Sequence, residues 1–335
     1  MQLTNKLKLV SLLIIPFILF VLTGCGNSST SNQESSNNSS GSYPEKDITM
    51  ILPWAPGGSG DNTARPTIEK LSELLGTSVV LISKEGAGGS IGTGEVARAK
   101  ADGYTLLNGG SLSTVVTTPL TTETGYSLDD LIPIAQLTAV SLVLATTPES
   151  PYQTLEELIS YAKEHPGEVK VSTPGASSTQ SIVLNEFMNI TGTELELIPY
   201  DGSSPAYNAL LNGEVDLWMG VESEMVGKNL TLLGTSSPER LEVIKDTPTF
   251  KEMGYEDLVF TSGFGVFAPK GTPEEIIQKI EGNLNKVYND PEVQTVWKKA
   301  GLTPQYLGSD DYSKELKRQY DIAYNVLKEL DLLKK

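Results

Sequence analysis

The sequence predicts an α/β protein built as two lobes, each a largely parallel sheet with helices on both faces. Three observations carry this. Strand-like and helix-like segments alternate along the chain. They fall into two βα series separated by two long β-rich stretches. After the first 42 residues about 290 of the 335 remain, which is large for one core and natural for two.

The elements follow in order. An apolar run predicts a strand over 47–53. Ile68, Leu71 and Leu75 share one face of a helix expected over 62–75, closed by Gly76. A second strand is expected over 78–83, then a glycine-rich turn over 86–94 feeding a helix through Ala99, then a third strand over 104–108. A long β-rich stretch covers 132–147. Leu155, Leu158, Ile159 and Ala162 mark a helix. The pattern then restarts: strand 169–173, helix 179–189, strand 194–200, helix 204–212, and strands 215–219 and 230–235. A second long β stretch covers 258–269. Helices over 273–288, 291–300 and 312–333 complete the chain, the last with Leu316, Tyr320, Ala323, Leu327 and Leu330 along one side. The predicted lobes are 43–138 with 266–335, and 139–265. Ile132–Thr147 and Leu258–Pro269 are the expected hinge crossings.

The first 42 residues read differently. Lys6 and Lys8 precede an apolar run over 9–22, which ends in Leu22-Thr23-Gly24-Cys25. This is the layout of a secretory signal over 1–24, and the cysteine at the cleavage point makes it resemble a bacterial lipoprotein signal. Cys25 is then the lipidated N-terminus, holding the protein on a membrane from outside. The run is too short for a spanning helix. Residues 25–42, rich in Ser and Asn, read as a flexible tether.

Composition narrows the function classes. The chain carries 25 Lys+Arg against 42 Asp+Glu, net −17, so nucleic acid is not an expected partner and any anion site must be local. Cys25 is the only cysteine and His165 the only histidine. His165-Pro166-Gly167 reads as a helix stop. The usual residues for Ser-His, Cys-His or His-zinc chemistry are lacking, and neither a metal nor a cofactor is expected.

Two strand-to-helix loops stand out. Pro53-Trp54-Ala55-Pro56-Gly57-Gly58-Ser59-Gly60-Asp61 leaves backbone N–H groups free near a helix N-terminus, an arrangement suited to a carboxylate or phosphate. It is neither Walker A nor the dinucleotide fingerprint. An ordinary turn with Asp61 as N-cap is the alternative. The second loop, Pro174-Gly175-Ala176-Ser177-Ser178-Thr179-Gln180, repeats the arrangement in the other lobe, with helix capping as its alternative. Together they would grip the two ends of a small dianion. A third turn, Gly86–Gly92, either lines the same cleft or permits close packing.

These pieces together resemble the Bug/TctC family of extracytoplasmic solute-binding proteins. They are Leu52–Gly58 with Asp61 and Ala64-Arg65, Gly86–Gly92, Ala101–Leu107, Pro199-Tyr200 before Ser204-Pro205-Ala206, Leu210–Asp216, Thr235–Arg240, Pro248–Phe250 and Ala268–Pro273. They run in family order from Tyr43 onward. The resemblance implies a type II periplasmic-binding fold that closes on a ligand, and a receptor delivering a di- or tricarboxylate to the integral-membrane subunits of a tripartite tricarboxylate transporter. The implied protein is an extracytoplasmic, lipid-anchored monomer and not an enzyme. The expected ligand contacts are Trp54, Ala55, Gly57, Gly58 and Asp61 in the first loop, and Thr173, Ala176, Ser177, Ser178 and Thr179 in the second. Ser111, Tyr200 and Glu222 are expected around the ligand's far end. There the chain departs from the family pattern: Thr179-Gln180-Ser181 stand where a histidine or other polar residue is usual, Gly220 where an aspartate is frequent, and Ser111–Leu120 is rich in Ser and Thr. Arg65 is expected in a packing or surface role. Two other readings compete. One is a hydrolase using carboxylates among Asp61, Asp201, Glu222 and Glu224; the other is a sensing partner of a membrane histidine kinase.

Overall fold

A computed structural model describes residues Tyr43–Lys335; the signal, Cys25 and the tether lie outside them. The elements are β1 (Ile48–Leu52), α1 (Ser59–Leu75), β2 (Val79–Ser83), α2 (Ser90–Ala97), β3 (Thr105–Gly110), α3 (Thr118–Thr121), β4 (Leu131–Thr146), α4 (Leu155–Glu164), β5 (Lys170–Thr173), α5 (Thr179–Thr191), β6 (Glu196–Pro199), α6 (Ser203–Leu211), β7 (Leu217–Val221), α7 (Glu222–Met225), β8 (Thr231–Thr235), β9 (Thr261–Pro269), α8 (Glu274–Tyr288), α9 (Pro291–Lys299), β10 (Thr303–Gly308) and α10 (Ser309–Glu329). A π-helical segment, Ser111–Thr117, joins β3 to α3.

The strand order is β2-β1-β3-β9-β4-β7-β5-β6, with β8 and β10 also pairing with β4. The two long β stretches of the sequence are β4 and β9, antiparallel neighbours. β4 is shared. Its residues Leu131–Ser141 pair with β9, and Leu142–Ala145 pair with β7. In the first half β1 is parallel to β2 and β3; in the second β5 is parallel to β6 and β7.

Side-chain alternation explains why both faces of each half are covered. Ile48, Met50 and Leu106 pack with Leu71 of α1, Ile277 and Leu284 of α8 and Trp297 of α9. Ile51, Leu107 and Phe267 face the other way, toward Val96 of α2, the π-helical segment and α10. In the second half Leu217 and Met219 meet α4 and α5, while Trp218 meets Ala206, Ala209 and Leu210 of α6. Such strands are buried on both faces and read as apolar runs.

The sequence does not announce β10. Its Pro304 and Gln305 break the apolar pattern, and proline is tolerated only because the strand runs antiparallel to β4 through an irregular register. Helix α1 begins at Ser59, earlier than the expected 62.

Candidate functional site

Strand directions define where loops gather. β3 runs antiparallel to β9, and β9 antiparallel to β4, so β1 and β3 point their carboxyl ends the way β4 runs. β7 opposes β4, and β5 and β6 follow β7. The carboxyl ends of both parallel sets are therefore directed toward one stretch of β4, near Ser141. Open α/β sheets bind ligands outside such ends.

The first loop approaches this stretch from one side. Trp54 meets Phe264 edge-on, with ring centroids 5.9 Å apart, and Phe264 pairs with Thr138 of β4. The half-buried indole lies over three glycines. A Cβ at Gly60 would meet its Cζ3 at 2.7 Å, one at Gly110 its Cη2 at 3.1 Å, and one at Gly89 its Nε1 at 3.3 Å. The third glycine-rich turn thus packs directly on the first loop. Gly92 makes the same point: its Cβ would come 3.0 Å from Pro53 Cα.

The N-cap of α1 is Gly58, and Asp61 stands in the first turn. The Asp61 carboxylate reaches back: Oδ2 accepts the Gly57 N–H at 2.9 Å and Arg65 Nε at 2.8 Å. Asp61 is buried and Arg65 largely exposed, as expected of Arg65. Gly57 has φ +99°, a conformation that favours glycine. The amides of Ser59, Gly60 and Asp61 find no backbone acceptor among the described residues. They form the positive end of the helix dipole. Ala55 and Gly58 are exposed beside them. Ser111 is buried, its Oγ accepting the Gly263 N–H at 2.9 Å, so it ties β3 to β9.

The second loop follows β5. Ser178 is the N-cap of α5, its Oγ accepting the Ser181 N–H. Thr173 is fully buried, its hydroxyl 2.7 Å from Ser181 Oγ, which donates to the Gly175 carbonyl at 2.6 Å. Ala176 is exposed, Ser177 and Thr179 are half-buried, and the Thr179 and Gln180 amides have no backbone acceptor among the described residues. Tyr200 donates its N–H to the Thr173 carbonyl, and its hydroxyl lies 3.4 Å from Glu214. Glu222 is fully buried at the β4 crossing, where its Oε2 accepts the Ser141 N–H at 2.7 Å. Of the other carboxylates of the hydrolase reading, Asp201 is exposed ahead of α6 and Glu224 is half-buried on α7, accepting the Val221 N–H at 3.1 Å.

The two loops flank a short length of β4. Thr138 marks the first; Leu144 and Ala145, beside Met219 and Trp218 of β7, mark the second. Six residues of strand span about 20 Å.

Several positioning residues escaped the sequence reading. Asn108 donates to the Gly60 carbonyl at 2.9 Å, and Thr63 meets Thr138 hydroxyl to hydroxyl at 2.7 Å; both fix α1 to the sheet. Ser181 shapes the second loop. Only Asn108 carries a sequence signal, a polar residue directly after the apolar Leu106-Leu107.

A cavity of about 630 Å³ lies elsewhere, between the start of β4 and α10, lined by Leu128, Ile132, Lys270, Leu316, Lys317 and Tyr320. It is at the opposite end of β4 from the gathered loops and neither loop lines it, so the loops are the better candidate.

A family model described as tripartite tricarboxylate transporter family receptor, TctC, matches residues 63–332. The chain belongs to this family. The TctC resemblance read from the motifs is thereby established. Among curated relatives, the Bordetella pertussis protein BugT is 35% identical over 272 residues, 79% of this chain and 83% of its own. Among solved structures, Rpa4515 of Rhodopseudomonas palustris, described with adipate, is 26% identical with TM-score 0.66, over 85% of this chain and 97% of that one. MatC from Rhodopseudomonas palustris, described with bound malate, is 25% identical with TM-score 0.63, over 84% and 100%. The fold is the two-lobed α/β architecture of these TctC proteins. No helix of the described residues is long and apolar enough to cross a membrane.

Proposed function

We propose that this TctC protein is an extracytoplasmic receptor, anchored through lipid on Cys25, that captures a small dicarboxylate between its lobes and delivers it to a tripartite tricarboxylate-type permease. The observation that carries the reading is the pair of helix N-termini, α1 and α5, one from each half, directed toward the same stretch of β4 with backbone amides unused. A carboxylate at each would be met by N–H donors and dipoles, with no cation required. The lobes are 43–138 with 266–335, and 139–265. The crossings β4 and β9 are the hinge.

In this reading Trp54 covers the ligand. Ala55, Gly58 and the first turn of α1 supply amides at one end, with Gly57 and Asp61 shaping the loop. Ala176, Ser177, Ser178 and Thr179 receive the other end. Thr173, Ser111 and Tyr200 support the walls, and Glu222 acts at the crossing. The adipate and malate of the two relatives are support from neighbours of similar fold. The protein works as a monomer that releases its ligand unchanged.

The test is a melting-temperature screen of mono-, di- and tricarboxylates on the purified protein. A ligand at a hundred times its Kd stabilises the native state by about 2.7 kcal/mol, a shift of several degrees. Dicarboxylates are expected to stand out. A flat response across all three classes refutes the reading. Mass spectrometry of the membrane-extracted protein checks the anchor: a diacylated N-terminal cysteine is expected, and an unmodified Cys25 refutes it.

A further inference from the structure

β4 changes partners between two adjacent residues. Ser141 is the last to pair with β9, through Thr261, and Leu142 the first to pair with β7, through Val221. Glu222, the first residue after β7, has no exposed surface at this junction. Its Oε2 accepts the Ser141 N–H at 2.7 Å. Its Oε1 lies 3.4 Å from Thr303 Oγ1 of β10, a first-half strand that pairs with β4 at Ala139. Next to it, a Cβ at Gly301 would come 3.0 Å from Ser223 Cβ, so the turn into β10 touches α7. A crevice of about 460 Å³ borders the junction, lined by Leu241, Val243, Lys298, Leu302 and Thr303. None of the ion pairs among the described residues includes Glu222.

We infer that Glu222 is a positioning residue of the crossing: its carboxyl ties α7 of the second half to β4 at the junction and to β10 of the first half, and its charge state biases the angle at which the halves meet. This rests on the proposed closure about a ligand and adds its control.

The protonated acid satisfies the site. It accepts the Ser141 N–H on one oxygen, and the Thr303 hydroxyl, which donates to the carboxylate, turns to accept from the acid's other oxygen. The carboxylate has no cation there and must be held dry. Burial accordingly pushes its pKa up to about 8, against hydrogen bonds from its own backbone, Ser141 and Thr303 that favour the ion; Glu224 raises it further. The strands β4, β7, β8 and β9 carry no charged side chain. The charged and titratable residues of the other neighbours are Glu224 on α7, Glu242 on the adjoining 3₁₀ turn, Lys298 and Lys299 at the end of α9, Tyr306 on β10, and Arg240 on the crevice wall. Parting α7 from β10 at the crevice admits water to the carboxyl and returns it toward the ordinary range. A group with a raised pKa stabilises the dry arrangement fully below its ordinary value and loses that stabilisation as pH climbs toward about 8. A ligand held by both lobes needs the crossing fixed, so affinity falls with it, by at most about tenfold per pH unit.

Titration calorimetry with adipate and malate as probes, from about pH 5.5 to about pH 8, tests this on the native protein, Glu222→Gln and Thr303→Val. Glu222→Gln keeps the shape and an acceptor for Ser141 but cannot ionise, so it also corrects for the probe's own titration. Relative to it, native affinity is expected to fall about tenfold or more across the range. Thr303→Val is expected to weaken binding about threefold at the acid end, the size of one lost hydrogen bond. Parallel pH profiles for native and Glu222→Gln overturn the inference. If neither probe binds any of the proteins, the receptor reading fails, and the hinge is judged without ligand by amide exchange at Ser141. There the native protein is expected to exchange several-fold faster than Glu222→Gln at about pH 8 and equally at about pH 5.5; equal rates at both overturn it.

Discussion

Replacing Gly60 by alanine sets two known effects against each other. Gly60 lies in the first turn of α1 with ordinary helical φ. Alanine there should gain up to about 1 kcal/mol of helix propensity. The added Cβ, however, meets Trp54 Cζ3 at 2.7 Å and Cε3 at 2.8 Å, about 1 Å inside comfortable carbon contact. The indole has little room to retreat, because Gly110 and Gly89 back it on other sides and Phe264 meets its edge. Overpacking of this kind costs about 1–3 kcal/mol, so the net change is a destabilisation of about 0–3 kcal/mol. At about 2–4 °C per kcal/mol, the melting temperature should stay level or fall by several degrees. Tryptophan emission should also shift. Trp218 and Trp297 are fully buried elsewhere, so the change reports Trp54. Gly58→Ala is the control, since its Cβ meets nothing within 4 Å. A Gly60→Ala protein that melts higher than native, with unchanged emission and unchanged carboxylate affinity, would refute the packing of Trp54 against the glycine turns.

Asn108→Leu strands the Gly60 carbonyl and should cost about 1–3 kcal/mol by chemical denaturation, with affinity falling as the first loop loosens; a change below about 0.5 kcal/mol contradicts that role. Ser181→Ala removes the hydroxyl that joins Thr173 to the Gly175 carbonyl. About 1–2 kcal/mol of stability and several-fold affinity should go with it, and native affinity in the folded variant counts against a shaped second loop. For Glu222→Gln, stability should be compared with native across pH. Native carries a pKa raised to about 8, so relative to the variant it should lose stability between the ordinary carboxyl range and about pH 8, then level off. The slope cannot exceed about 1.4 kcal/mol per pH unit, and a constant difference across that range would remove the buried carboxyl from the account.

The parts of the fold legible in the sequence are those with a local signal. The runs at 47–53 and 132–147 sit on β1 and β4 because parallel and central strands are apolar on both faces. The loops at Trp54 and Ala176 were visible because glycine and hydroxyl residues collect between strand and helix. What escaped depends on distant partners. Asn108 serves a carbonyl 48 residues earlier, and Thr138 a hydroxyl 75 residues earlier. β10 exists only because β4 offers an unpaired edge. The α1 start was misplaced because Asp61 looked like a cap, while its carboxylate actually turns back to Gly57 from within the first turn. Glu222 reads as a site residue from its place after β7; its full burial and its bond to Ser141 follow from topology that no local pattern encodes.

β4 belongs at once to both sets of strands, and helix α10 leans on cores from each. Neither half can melt without unzipping the strand it has in common with its neighbour. Heating should therefore collapse the molecule in one cooperative event, with calorimetric and van't Hoff enthalpies in agreement. The strand proposed as the hinge is also the seam that makes the halves live or die together.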